Sequence, residues 1–167
     1  SNELIAHTYH HLYGQRSVGL RAIELMAVLN TPGAALAKAG LVRGGTDVTG
    51  FGLLGHLGAM ARASGVTARI DSGKVPVLDD CVLKLIAEGC VPGGTQANLV
   101  AADCVADGVS EERMILLADA QTSGGLLLAV SPGNLPEVLR ILDEEGAPCA
   151  EVIGELIEQE ARLIEVS

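Results

Sequence analysis

A chain of 167 residues has the length of one domain, and by the scaling of buried surface with size it removes roughly 70% of its unfolded surface from water. With no Trp, one Phe and two Tyr its core is aliphatic, and a formal charge of -10 argues against nucleic acid or an anionic membrane as partner, because neutralising phosphate takes clustered Lys and Arg. The longest apolar runs, such as residues 126–130, are too short to span a bilayer, and the first residues carry no signal-peptide pattern, so a soluble, cytoplasmic protein is expected.

Residues 1–16 read as an extension ahead of a single domain at 17–167, with Ser1-Asn2 as a candidate cloning remnant. Apolar positions at Val18, Leu20, Ile23, Met26 and Leu29 predict an amphipathic helix over 17–29. A short helix follows, with Thr31 as N-cap, Pro32 in its first turn and Gly40 as its stop. Thr49 is placed to cap a third helix over 52–63, which Gly65 ends. Alternation predicts a strand over 66–71, and a helix is expected over 79–88. VPGGTQAN, residues 91–98, has turn chemistry and reads as a functional loop. DAQTSGG, residues 119–125, leads into a buried strand at 126–130, a helix is expected at 136–145, and 150–157 with 163–166 read as a terminal hairpin or strand pair. Strands and helices interleave without strict alternation, which predicts an α+β fold, α/β in the broad sense, with a mixed sheet flanked by helices.

Chemistry concentrates in TDVTGFGLLGH, residues 46–56. Gly50, Gly52 and Gly55 have G-x-G-x-x-G spacing, and Asp71 stands about 20 residues on, where a ribose-binding acid would sit. Against a dinucleotide site, the residues before Gly50 are too polar and glycine-rich for a central strand, and Asp47 brings the wrong sign to a pyrophosphate. A divalent cation reverses that sign. Asp47 then reads as a magnesium ligand, with Thr49, Gly50 and Gly52 close to phosphate; the bland reading makes Thr49 a cap and the glycines packing elements. Phe51 fits a core plug better than a cover for a nucleotide base, and His56 reads as a histidine satisfied by a hydrogen bond.

TDVTGFGLLGH resembles the motif that marks selenophosphate synthetase, also called selenide, water dikinase. VPGGTQAN is similar to that family's P-G-G-T-x-R-N loop and DAQTSGGLLLAV to its D-P-Q-T-S-G-G-L-L segment, in the same order. The family belongs to the ATP-binding superfamily that includes aminoimidazole ribonucleotide synthetase. The resemblance implies the C-terminal domain of an enzyme that converts ATP, selenide and water to selenophosphate, AMP and phosphate with magnesium. It implies that Asp47 is a magnesium ligand, that no catalytic residue lies in this chain, and that the catalytic Cys or selenocysteine, the Lys and most ATP contacts belong to an N-terminal domain absent from it. A homodimer is implied for the full-length protein. The chain departs from the pattern at Ala97, where the family loop has Arg, at Ala120 in place of Pro, and at Gly44-Gly45 in place of Ala-Cys. Alternatives are a non-catalytic binding or scaffold relative and a sister ATP-dependent synthetase or kinase of the superfamily.

Minor signals carry less. His7, His10 and His11 have helical spacing and could bind a metal adventitiously, but an exposed helix face is expected. Cys81, Cys90, Cys104 and Cys149 match no zinc pattern and read as buried free thiols. The acids from Asp143 to Glu160 read as solvated faces, and Ser123 lacks a nucleophile elbow and reads as a turn residue.

Overall fold

The computed structural model describes residues 2–6 and 16–167; the three histidines at 7, 10 and 11 lie outside the described residues. Its strands are β1 (Asn2–Ala6), β2 (Val42–Asp47), β3 (Val66–Ile70), β4 (Cys104–Ala106), β5 (Leu126–Val130), β6 (Glu151–Glu158) and β7 (Ile164–Val166). They form one mixed sheet in the order β2-β5-β1-β6-β3-β7-β4. β7 pairs in parallel with β3 and β4, and the remaining pairs are antiparallel. The helices are α1 (Arg16–Met26), α2 (Thr31–Lys38), α3 (Gly52–Ser64), α4 (Cys81–Ala87), α5 (Gly93–Ala101), α6 (Glu111–Ala118) and α7 (Leu135–Glu144). The α+β class and the mixed sheet flanked by helices are as the sequence predicts.

The layering follows from the period of a strand. Every residue of β5, Leu-Leu-Leu-Ala-Val, is buried, because helices cover both faces. Leu127 and Ala129 point into a cluster with Leu53, Leu54, Leu57 and Ala61 of α3, while Leu126, Leu128 and Val130 point into another with Leu36 of α2 and Val138 and Leu142 of α7. Val82 and Ile86 of α4 pack on Ile115 and Leu116 of α6 as an outer layer. Gly65 ends α3 in the left-handed conformation, with φ 63, and returns its N–H to the Ala61 and Arg62 carbonyls, as expected from its sequence position.

Several local expectations shift. β1, assigned above to an extension ahead of the domain, lies between β5 and β6 in the middle of the sheet, so the sheet includes residues before 17. β6 and β7 are both strands but not a hairpin: β3 inserts between them and pairs with each. Asn30, not Thr31, precedes α2, and Phe51, not Thr49, precedes α3; neither caps with its side chain. Residues 93–101 are helix rather than loop, with Pro92 ahead of them holding extended backbone. The cysteines are not core thiols: Cys90 is exposed and the other three are half-buried. Asp143, Glu144 and Glu145 face solvent, as expected.

Strand direction decides where the chemistry sits. β2 ends at Asp47 opposite Leu126, β1 ends at Ala6 opposite Leu127 and Glu151, and Ile70 of β3 lies opposite Gly154. The C-terminal ends of β1, β2 and β3 and the N-terminal ends of β5 and β6 therefore share one end of the sheet.

Candidate functional site

At that end the three glycine-bearing motifs, far apart in sequence, close into one node. The Val48 N–H donates to the Gly125 carbonyl at 2.9 Å and the Gln121 N–H to the Thr49 carbonyl at 3.0 Å, which ties the TDVTGFG loop to the DAQTSGG segment. Asn98, from the first turns of α5, donates its amide to the Gly50 carbonyl at 2.9 Å and to the Ala118 carbonyl at 3.1 Å. Asn30 reaches the Gly124 carbonyl at 3.0 Å. Two glycines are required by proximity. A Cβ on Gly124 would lie 2.0 Å from the Val48 carbonyl oxygen, and one on Gly52, whose φ is 67, would lie 2.5 Å from the Ala118 carbonyl.

Asp119 is the buried centre of the node, 3% exposed. Its carboxylate accepts from the Thr95 hydroxyl at 2.8 Å and the Gln121 amide at 3.0 Å. Burial pushes its pKa up to about 6 from an ordinary 3.8, against the opposing pull of the Thr95, Gln121 and Ala120 donors. The sequence motifs alone assign no role to Asp119, Thr95, Gln121 or Asn98. Their signal was the presence of polar side chains inside glycine-rich runs, where turn chemistry explains them equally well.

Asp47 stands at the end of β2, exposed, and its carboxylate has no hydrogen-bond or ion-pair partner among the described residues. A hard, ionisable oxygen donor left open suits one ligand position of a magnesium ion, which takes one or two carboxylates and completes its shell with water and phosphate oxygens. Among the described residues no group of three His, Cys, Asp or Glu could hold a metal, and Asp47 belongs to no such cluster. Gly50 beside it is exposed, whereas Gly52 is buried and its N–H is committed to the Thr49 carbonyl at 2.9 Å.

Thr49 bonds to His56. The Thr49 N–H donates to His56 Nε2 at 3.1 Å, and the Thr49 hydroxyl lies 3.1 Å from the same nitrogen. Burial holds the His56 pKa below its usual value, with the Asp47 charge acting the other way. His56 is therefore the satisfied histidine expected. Phe51 is not a core plug: it is 68% exposed, its ring 5.7 Å from that of His56. Beside the node, between α2 and β2, lies a concavity of about 520 Å³ bordered by Asn30, Gly33, Gly44, Gly45, Asp47 and Leu128.

A dinucleotide site does not fit this geometry, because among the described residues β2 lies at the edge of the sheet, antiparallel to β5, rather than being a central parallel strand. Asp71 accepts from the Gly73 N–H at 2.9 Å in a turn after β3, four strand spacings from β2, or roughly 19 Å.

The family model described as AIR synthase related protein, C-terminal domain, matches residues 22–165. The chain belongs to that family. Among curated relatives it is 47% identical over 145 residues to a selenide, water dikinase of Bordetella bronchiseptica and 43% identical over 145 residues to one of Pseudomonas putida; each match covers 87% of this chain and 42% of the relative. The chain thus spans less than half the length of these relatives. Among solved structures, the family fold recurs in E. coli HypE, with a TM-score of 0.63 and 20% identity over 99% of this chain and 46% of that one. It recurs also in T. maritima PurL complexed with ADP, with a TM-score of 0.57 and 13% identity over 95% of this chain and 22% of that one. Among the described residues, no helix is long and apolar enough to cross a membrane.

Proposed function

We propose that this chain is the C-terminal part of a cytoplasmic selenide, water dikinase and that it contributes one wall of a magnesium–nucleotide site. Identity of 43–47% to relatives of that name supports the reading, as do the three motifs meeting in one node. The observation that carries it is the exposed Asp47 carboxylate, without a hydrogen-bond or ion-pair partner among the described residues, on a loop whose Val48 and Thr49 N–H groups and Thr49 and Gly50 carbonyls are hydrogen-bonded. In the reaction, ATP, selenide and water become selenophosphate, AMP and phosphate. Asp47 holds the cation, which when bound neutralises charge between carboxylate and phosphate oxygens. Gly50 lets a phosphate approach the backbone closely, while Thr49 and Gly52 shape the loop beneath it. The catalytic Cys or selenocysteine and Lys, and most contacts to ATP, come from an N-terminal domain, and the full-length protein is a homodimer with selenide and ATP as its small-molecule partners.

Selenide-dependent AMP formation by the full-length protein tests the reading. Asp47→Asn keeps the shape and removes the charge, and is expected to lower activity by at least about tenfold, or 1.4 kcal/mol of transition-state stabilisation. Unchanged turnover and unchanged magnesium dependence would favour a scaffold role for this domain instead.

A further inference from the structure

We infer that His56 is a positioning residue for the Asp47 loop, its Nε2 acceptor fixing the Thr49 backbone and with it the direction in which the Asp47 carboxylate is presented. The inference rests on the reading of Asp47 given above.

The Asp47 carboxylate has no hydrogen-bond or ion-pair partner among the described residues, so the backbone of residues 47–49 sets the direction in which it is presented. Beyond the pairing of β2 with β5, main-chain bonds hold that backbone from the Val48 N–H to Gly125 and from the Gln121 and Gly52 N–H groups to the Thr49 carbonyl. Two further bonds depend on side chains: the Thr46 hydroxyl donates to the Asp47 carbonyl at 3.0 Å from within β2, and the Thr49 N–H donates to His56 Nε2 at 3.1 Å. Of these two, only the His56 bond ties the loop to another element, α3.

The tautomer follows from the donor. A backbone N–H can only donate, so Nε2 carries its lone pair, the ring proton is on Nδ1, and the Thr49 hydroxyl at 3.1 Å donates to the same nitrogen. His56 can act as a fixed post because α3 is seated by fully buried Leu53, Leu54 and Leu57 on either side of it. It reaches back across the α3 N-terminus to the residue two places beyond Asp47. This is how an outer partner orients a metal ligand without touching the metal.

Side-chain depth separates the acceptor from the imidazole. In His56→Gln the amide oxygen can occupy the depth of Nε2, in His56→Asn the amide ends at the depth of Nδ1, and His56→Ala offers no acceptor. Calorimetric titration of the full-length protein with ADP and magnesium is expected to show binding weakened roughly 10–100-fold in His56→Ala and His56→Asn, with His56→Gln restored to within about threefold of the parent. Kinetically, the loss should appear in the KM for magnesium-ATP more than in kcat.

His56→Ala binding like the parent, or His56→Gln binding as weakly as His56→Asn, would overturn the inference. If His56→Ala does not fold, the Gln and Asn variants decide alone. Asp47→Asn separates the two levels of argument. If it leaves nucleotide affinity unchanged, the Asp47 reading fails and this inference with it; if it weakens binding while His56→Ala does not, only the positioning role fails. Because His56 acts through Asp47, the double variant should lose no more than Asp47→Asn alone, and an additive loss would also overturn the inference.

Discussion

Asp119 and His56 titrate with opposite consequences, and the sign of each follows from its folded-state shift. Asp119 has a folded pKa of about 6 against 3.8 unfolded, so its contribution to stability is fully present below 3.8 and is lost as pH rises through 6, a span worth roughly 3 kcal/mol. His56 is depressed by burial, so the unfolded chain takes a proton near pH 6.5 that the folded chain refuses, and stability falls as pH drops below 6.5. Urea unfolding at pH 4, 5.5 and 7.5 separates the two. Asp119→Asn should flatten the loss seen between pH 4 and 7, and an unchanged pH slope in that variant would mean that Asp119 is not held as the geometry implies. At this scale the sequence was partly legible. Asp47 stood out because a carboxylate beside glycines needs a chemical reason, whereas Asp119 was hidden because its buried partner, Thr95 of α5, is distant in sequence.

The glycines illustrate what element-scale packing adds to a motif. In sequence Gly44, Gly50, Gly52 and Gly124 look alike, yet a Cβ on Gly44 would meet nothing within 4 Å and one on Gly124 would enter the Val48 carbonyl. Gly124→Ala should therefore destabilise the protein by about 3 kcal/mol or more through displaced backbone, while Gly44→Ala stays within about 0.5 kcal/mol. Chemical denaturation of both variants checks the contrast; equal, small effects would mean that the node relaxes freely. Elements such as β5, an unbroken apolar run, and the helices α3 and α7 were readable because local pattern and tertiary burial agree. α5 was not, since Pro92-Gly93-Gly94 is turn chemistry locally, and helix forms there because Thr95 is buried against Asp119 and Leu99 packs on the core. The expected hairpin or strand pair of β6 and β7 does not form, because β3 inserts between them through contacts distant in sequence.

For the whole molecule, the antiparallel alternation of β2, β5, β1, β6 and β3 gathers the loops bearing the motifs at one end of the sheet, and the node there presents the Asp47 carboxylate outward. Phe51, 68% exposed, and Val100, 86% exposed, lie on the TDVTGFG loop and on α5, the two segments that Asn98 joins. On the proposed reading, the exposed carboxylate and the uncovered apolar side chains are what half of a two-part site presents before its other half is in place. A magnesium ion needs about six oxygen ligands, and one carboxylate with water cannot select or orient a triphosphate. On the proposed reading, the 167-residue chain alone should therefore produce no selenide-dependent AMP, while the full-length protein does so. Both are assayed at the same magnesium, ATP and selenide concentrations, with AMP quantified by chromatography. Turnover by the isolated chain at a rate comparable to the full-length protein would place the catalytic groups within these residues and refute the two-part site.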